Sequence, residues 1–282
     1  MKKFIGLIFM ILTCCYNTCF AEIIQANEIK VIEENLASID PDALVIFDVD
    51  EVLIMPKDQI LQSPHREYIN QLNTSLFTEE KESELLWSII FAQRSSIPVD
   101  TQMINMINTL QSKGIKVLAL TQAMTGKFGN ITSMRNWRND ELISHGYDFQ
   151  KSWKGVQNKI LNGLEKSTNR LASEVSSLPM FFKGIIFTEI DKGEALEAFL
   201  SHYKLKFKKI IFIDDKKKNL ESVEKTLSKL NIAFVGIEYT DAVTHIEPLN
   251  KKRAELQFHV LGKQRKWIPD SEADALLAEM NN

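Results

Sequence analysis

Two carboxylates spaced two residues apart, Asp48 and Asp50, close the apolar run Ala43–Phe47. Alternation along a strand puts both on the same side at its carboxyl end. Acids placed so close repel, and the arrangement calls for a divalent cation, a lysine or one shared proton to hold it together. Three further runs end in the same manner. Thr121 follows the run at 115–120, Asp191-Lys192-Gly193 opens the helical pattern after the run at 184–187, and Asp214-Asp215 follows the run at 209–213. In a parallel sheet these four positions would meet at one edge. Each has an ordinary reading by itself. Asp48-Val49-Asp50 could be a solvated turn with a helix cap, Thr121 a strand-end threonine, Lys192 a surface lysine, and Asp214-Asp215 an N-cap pair. Four such endings in order at four strand ends are much harder to obtain from structural needs alone.

The elements that must position them are legible in the hydrophobic pattern. Short Val-, Ile- and Phe-rich runs near 43–48, 115–121, 184–188, 209–214 and 233–239 suit strands covered on both faces. Helical periodicity fills Asn27–Ala37, Thr78–Ala92, Asp100–Ser112, Ser133–Ser144, Lys192–Tyr203 and Lys217–Lys229. Strands alternating with helices predict an α/β fold with a Rossmann-like parallel sheet. Two longer stretches, near 55–99 and 122–182, interrupt the alternation. Inserts after strand carboxyl ends overhang the ligand crevice, so they read as a helical cap.

With these residues in place, the chain resembles the haloacid dehalogenase (HAD) superfamily. Asp48-Val49-Asp50-Glu51-Val52 after VIF is similar to its first motif, Thr121 after VLAL to its second, Lys192 to its third, and Asp214-Asp215 after IIFI to its fourth. The stretches MRNWRNDELISHGYDF, FFKGIIFT before DKGEAL, and KWIPDSEADALL are also similar to one exported bacterial HAD-like family of undefined function. The resemblance implies a phosphomonoesterase for a small organic phosphate. Asp48 would be its nucleophile and Asp50 its acid and base, with Thr121 and Lys192 holding the phosphoryl oxygens. Mg²⁺ would bind Asp48, the backbone carbonyl of Asp50, and Asp214, with Asp215 acting directly or through water. Two features depart from the family pattern. Glu51 stands where many members have glycine, although exported acid phosphatases of the superfamily tolerate an acid there. The bare Asp214-Asp215 pair leaves open which aspartate ligates the metal. Lys183 is a rival to Lys192, disfavoured by its place before the strand.

Composition narrows the compartment and the partners. Lys2 and Lys3, the apolar run Phe4–Leu12 and a cut after Ala21 have the layout of a secretory signal peptide. All three cysteines (Cys14, Cys15, Cys19) lie within it, so the remainder has neither disulfide nor thiolate site. A formal charge of −3, more negative once both lysines leave, argues against sequence-independent nucleic-acid binding. No later segment is apolar for long enough to span a membrane. The expectation is an exported protein, periplasmic or secreted. The five histidines lack zinc-like spacing, and Arg135, Trp137 and Arg138 read as a surface salt-bridge helix with one core tryptophan. The competing functional reading is a catalytically silent HAD-like binding or interaction protein. The intact Asp48 and Asp50 favour the enzyme.

Overall fold

The five apolar runs lie in one sheet as parallel strands, which is where burial on both faces puts them. The computed structural model describes residues 21–76, 79–161, 179–244 and 246–280. Most of the expected leader with its cysteines, the middle of the second insert (162–178), Thr78 and His245 lie outside the described residues. The strands are β1 (Ala21–Ala26), β2 (Ala43–Phe47), β3 (Ile54–Pro56), β4 (Ser96–Pro98), β5 (Lys116–Gln122), β6 (Lys159–Ile160), β7 (Met180–Phe182), β8 (Ile185–Thr188), β9 (Lys209–Asp214) and β10 (Ala233–Tyr239). The helices are α1 (Ile29–Leu36), α2 (Arg66–Leu76), α3 (Glu80–Gln93), α4 (Gln102–Ser112), α5 (Met134–Ser144), α6 (Lys192–His202), α7 (Lys217–Lys229), α8 (Asp241–Thr244), α9 (Lys251–Gln264) and α10 (Asp270–Met280). The main sheet runs β1-β10-β9-β2-β5-β8-β7-β6, parallel from β1 through β8 and antiparallel at β7 and β6. The chain is thus an α/β protein with a mostly parallel central sheet.

Period-two alternation divides the core into two layers. Val45 and Phe47 of β2 face α1 and α4, where Ile32 and Ile107 pack. Leu44 and Ile46 face α6 and α7, where Phe199 and Val223 pack. Both helical layers bury their stripes almost completely, and this holds the strand ends in register.

β1 was not expected. It adds to the edge through β10, with Ala21 opposite Phe234, and the cut anticipated after Ala21 falls at its first residue. Half of its residues are exposed and only Ala26 is buried, and the apolar pair Ile23-Ile24 is too short to read as a run.

The first insert leaves and re-enters the core through the antiparallel pair β3–β4 and carries α2 and α3. Its apolar partners come from the chain's end: Ile69, Leu86 and Ile90 pack with Phe258, Leu261 and Trp267. A polar latch fixes this union. Buried Asp58 accepts from the Trp267 indole N–H at 2.7 Å and from the Asp270 backbone N–H at 3.0 Å. In the second insert, Trp153 enters the sheet core and donates to the Val117 carbonyl at 2.8 Å. Among the described residues, no helix is long and apolar enough to cross a membrane.

Candidate active site

The edge where β2, β5 and β9 end collects the residues singled out above. The Asp48 N–H donates to the Ile213 carbonyl at 2.8 Å, which carries the β2–β9 pairing one residue past the strand. A tight turn follows, with the Glu51 N–H on the Ile54 carbonyl at 2.8 Å. Glu51 sits at φ +66°, in the left-handed region that glycine occupies without strain. The Glu51 carboxylate accepts from the Ser63 backbone N–H at 3.0 Å and from the Ser63 hydroxyl, so an acid at this position ties the turn to the first insert.

Lys192 reaches the same point because α6 starts there. Asp191 caps the helix by accepting from the Glu194 N–H at 3.1 Å. Gly193 allows close packing, since a Cβ on it would come within 2.5 Å of the Ser222 carbonyl on α7. The Lys192 ammonium then lies 2.8 Å from Asp48 and 2.7 Å from Asp214, all three buried. Lys183 sits before β8 at the opposite end of that strand, over the Phe182 ring. Lys192 is the lysine of the site.

Asp48, Asp214 and Asp215 each offer a carboxylate oxygen, and these oxygens lie within 4.8 Å of one another. Such a set of hard oxygen donors fits a divalent cation such as Mg²⁺. Their hydrogen bonds distinguish the three. Asp214 accepts from Lys192, from the Lys216 N–H at 2.8 Å, and twice from the Asn219 amide at 2.9 and 3.1 Å. That fills the roughly four lone-pair sites of a carboxylate. Among the described residues Asp48 accepts only from Lys192 and the Val49 N–H, and the partner of Asp215 is the half-exposed Lys216 ammonium at 3.1 Å. Spare acceptor capacity therefore lies on Asp48 and Asp215.

The electrostatics follow from burial. Desolvation pushes the Asp48 carboxyl from an ordinary 3.8 up to about 6, although Lys192 pulls it back and Asp214 adds to the rise. Asp215 likewise rises to about 6 through burial and then the Asp48 charge, with Lys216 opposing. Burial also raises Asp214, against the pull of Lys192. Burial disfavours the Lys192 ammonium, but Asp48 and Asp214 outweigh it and hold it above the usual lysine value. The cluster carries more negative charge than its lysines balance.

Thr121 lies at the end of β5, two residues beyond the Phe47–Ala119 pairing and therefore at the same edge as Asp48. It is fully buried, and among the described residues its hydroxyl has no hydrogen-bond partner. A buried hydroxyl left so is unusual unless a ligand completes it.

Asp50 stands apart from the other three carboxylates. Both its oxygens meet one Arg138 nitrogen, at 3.0 and 3.1 Å, and Arg138 also binds Glu141 at 2.8 Å. Glu141 in turn holds Arg94 at 3.0 Å. Arg138 is buried, so the surface reading of this helix is corrected: α5 turns its arginine inward onto Asp50. Burial weakens the guanidinium, but Asp50 and Glu141 more than offset this. Because Arg138 pairs with both Asp50 and Glu141, Arg138→Ala is expected to destabilise the fold by about 1–3 kcal/mol. Arg138→Lys should recover part of that loss. Thermal melts of the three proteins check this, and an unchanged melting temperature in Arg138→Ala would contradict it.

Comparison with known proteins adds ancestry. An uncharacterized protein of Rickettsia prowazekii is 28% identical over 189 residues, which cover 67% of this chain and 65% of that protein. A Rickettsia felis relative is 30% identical over 154 residues, covering 53% of this chain and 49% of its own length. A protein of Chlamydia trachomatis with a provisional outer-membrane name is 33% identical over 107 residues, covering 36% and 40%. The chain thus spans from under one half to just under two thirds of the length of these relatives. No solved structure matches it. Residues 25–274 match DUF2608, described as a protein of unknown function, and the chain belongs to that family.

Proposed function

We propose that this protein is an exported, Mg²⁺-dependent phosphomonoesterase working through an aspartyl-phosphate, as its resemblance to the HAD superfamily implies. The observation that carries the reading is the buried Lys192 ammonium bridging Asp48 and Asp214, with Asp215 beside them. These groups come from three separate segments in the order the motifs require. An envelope or secreted location accords with the leader-like first residues and with the name of the Chlamydia relative.

In the first step an Asp48 oxygen bonds to phosphorus as the ester P–O bond breaks, and Asp50 delivers a proton to the departing oxygen. In the second, water bonds to phosphorus and gives a proton to Asp50, while the Asp48–phosphorus bond breaks and inorganic phosphate is released. Lys192 and the Thr121 hydroxyl steady the non-bridging oxygens in both steps. Asp48 and Asp215, which have acceptor capacity to spare, would hold Mg²⁺ directly, and Asp214 would keep Lys192 and Asn219 in place. When bound, the cation neutralises phosphoryl charge, so that an anionic nucleophile can approach an anionic ester.

The test is release of phosphate from p-nitrophenyl phosphate by the purified protein. Turnover is expected to fall to background on chelation and to return with added Mg²⁺. Asp215→Asn should raise the Mg²⁺ concentration needed for half-maximal rate more than Asn219→Ala does. Activity indifferent to chelation would contradict the metal, and no release from any of a panel of phosphomonoesters would contradict the reaction.

A further inference from the structure

A cavity of about 710 Å³ opens beside Asp50, in the size range of sites that enclose a whole small molecule rather than a phosphate alone. Asp50 and Arg138 line it together with Trp87, Phe91, Trp137 and Met134, beside polar residues that include Gln62, Ser63 and Asn70. Phe91 is the centre of the aromatic group, its ring 5.8 Å from that of Trp87 and 5.4 Å from that of Trp137. The Trp137 indole N–H is committed to the Phe91 carbonyl at 3.1 Å, and guanidinium groups lie over its ring. Trp87, whose ring meets only that of Phe91 among the described residues, has the freest aromatic surface. All three aromatics are only partly buried, although they back onto the packed cluster of Phe128, Ile131 and Met134.

Arg94 and Arg138, whose side chains are almost fully covered, are already ion-paired. Asp50, Arg138, Glu141 and Arg94 form a continuous ion-paired chain with equal numbers of each sign. Both arginines also lie over the Trp137 ring, at 4.9 and 5.5 Å. Arg66 also lines the cavity, where it is exposed and makes no ion pair among the described residues. A second phosphate or carboxylate on the substrate would find both covered arginines already paired and only the exposed Arg66 to meet it, whereas a flat apolar group would find a wall of rings.

Resting on the phosphatase reading, we infer that the alcohol part of the substrate carries a planar aromatic ring, seated against Trp87 beside Phe91 while Asp50 protonates its ester oxygen. A small aliphatic phosphate would leave that wall wet and gain nothing from it. Aromatic stacking and ring burial favour the aromatic ester by on the order of tenfold or more.

The experiment compares 2-phenylethyl phosphate with propyl phosphate, both alkyl esters, so that leaving-group reactivity is matched. The kcat/KM ratio is expected to favour the aromatic ester at least about tenfold, to collapse toward unity in Trp87→Ala, and to survive largely in Trp87→Phe. Calorimetry with phenylphosphonate against methylphosphonate, neither of which can be hydrolysed, should show the same preference without turnover. Equal kcat/KM for the two esters, or a ratio untouched by Trp87→Ala, would overturn the inference while leaving the phosphatase intact. Turnover of neither ester would count against the phosphatase reading, and the phosphonate titration would then decide the aromatic preference alone, equal binding overturning it.

Discussion

Asp48→Asn is expected to lower Mg²⁺-dependent phosphate release by roughly 10⁴-fold or more, the scale on which loss of a nucleophile is felt. The melting temperature should stay at or above that of the parent. The first expectation follows from chemistry: a neutral amide oxygen cannot form the phosphoryl-enzyme bond, and no neighbour replaces it. Asp50 points to Arg138, Asp214 is saturated with hydrogen bonds, and Asp215 is tied to Lys216. The second follows from the raised carboxyl. The Asp48 value of about 6 in the fold exceeds the ordinary 3.8, so the folded chain binds protons more readily than the unfolded one. This group's contribution to stability therefore falls as pH climbs from 3.8 to about 6 and stays low above that. Asp215, also near 6, acts in the same direction. Asparagine removes the burden at neutral pH, and Mg²⁺ should relieve it in the parent. A melting curve that improves on acidification from pH 7 to pH 5, with the gain lost in saturating Mg²⁺, is the accompanying signature.

Lys192→Met is expected to show the largest stability loss. The ammonium is buried between two buried carboxylates, and removing it leaves both without their shared cation. Breaking a buried ion pair from one side typically destabilises by about 3–5 kcal/mol, which in a chain of this size lowers the melting temperature by roughly 10 °C or more. Methionine nearly preserves the volume, so cavity formation contributes little. The damage should be recovered in part by protonating Asp48 at pH 5 or by Mg²⁺, and activity should be lost throughout because the neutral Thr121 hydroxyl cannot replace the ammonium charge on the phosphoryl oxygens. Thermal melts at two pH values, with and without the cation, check this. A melting temperature within about 2 °C of the parent at neutral pH would mean that Lys192 is not the counter-ion the site depends on.

The parallel sheet was legible because ALVIF, KIIFI and their like are apolar at every position, and only a strand covered on both faces needs that. β1 was not, since in AEIIQA the pair Ile23-Ile24 is flanked by Glu22 and Gln25 and makes too short an apolar run. The strand-end residues were legible as types and in their order. Their division of labour was not: Asp214 and Asp215 are neighbours in sequence, and only the hydrogen bonds from Asn219 and Lys216 separate a saturated carboxylate from one with capacity left. Arg138 escaped because a helix reading Arg-Asn-Trp-Arg resembles a solvated face. Its burial depends on contacts with Asp50, 88 positions earlier, and with Trp137. The part of the C-terminal helices in closing the first insert was hidden for the same reason, the Asp58–Trp267 bond joining residues 209 positions apart. Local pattern reveals elements, whereas partners this distant are set by packing.

Asp48 as the atom that receives the phosphoryl group is the claim on which the mechanism stands. An acid quench during turnover of a phosphomonoester labelled at phosphorus, followed by digestion and mass analysis, examines it directly. The expected result is label retained on the peptide that contains Asp48 and released by hydroxylamine, with none retained in Asp48→Asn. Phosphate formed at an undiminished rate with no label on the protein, or with label on another residue, would contradict it.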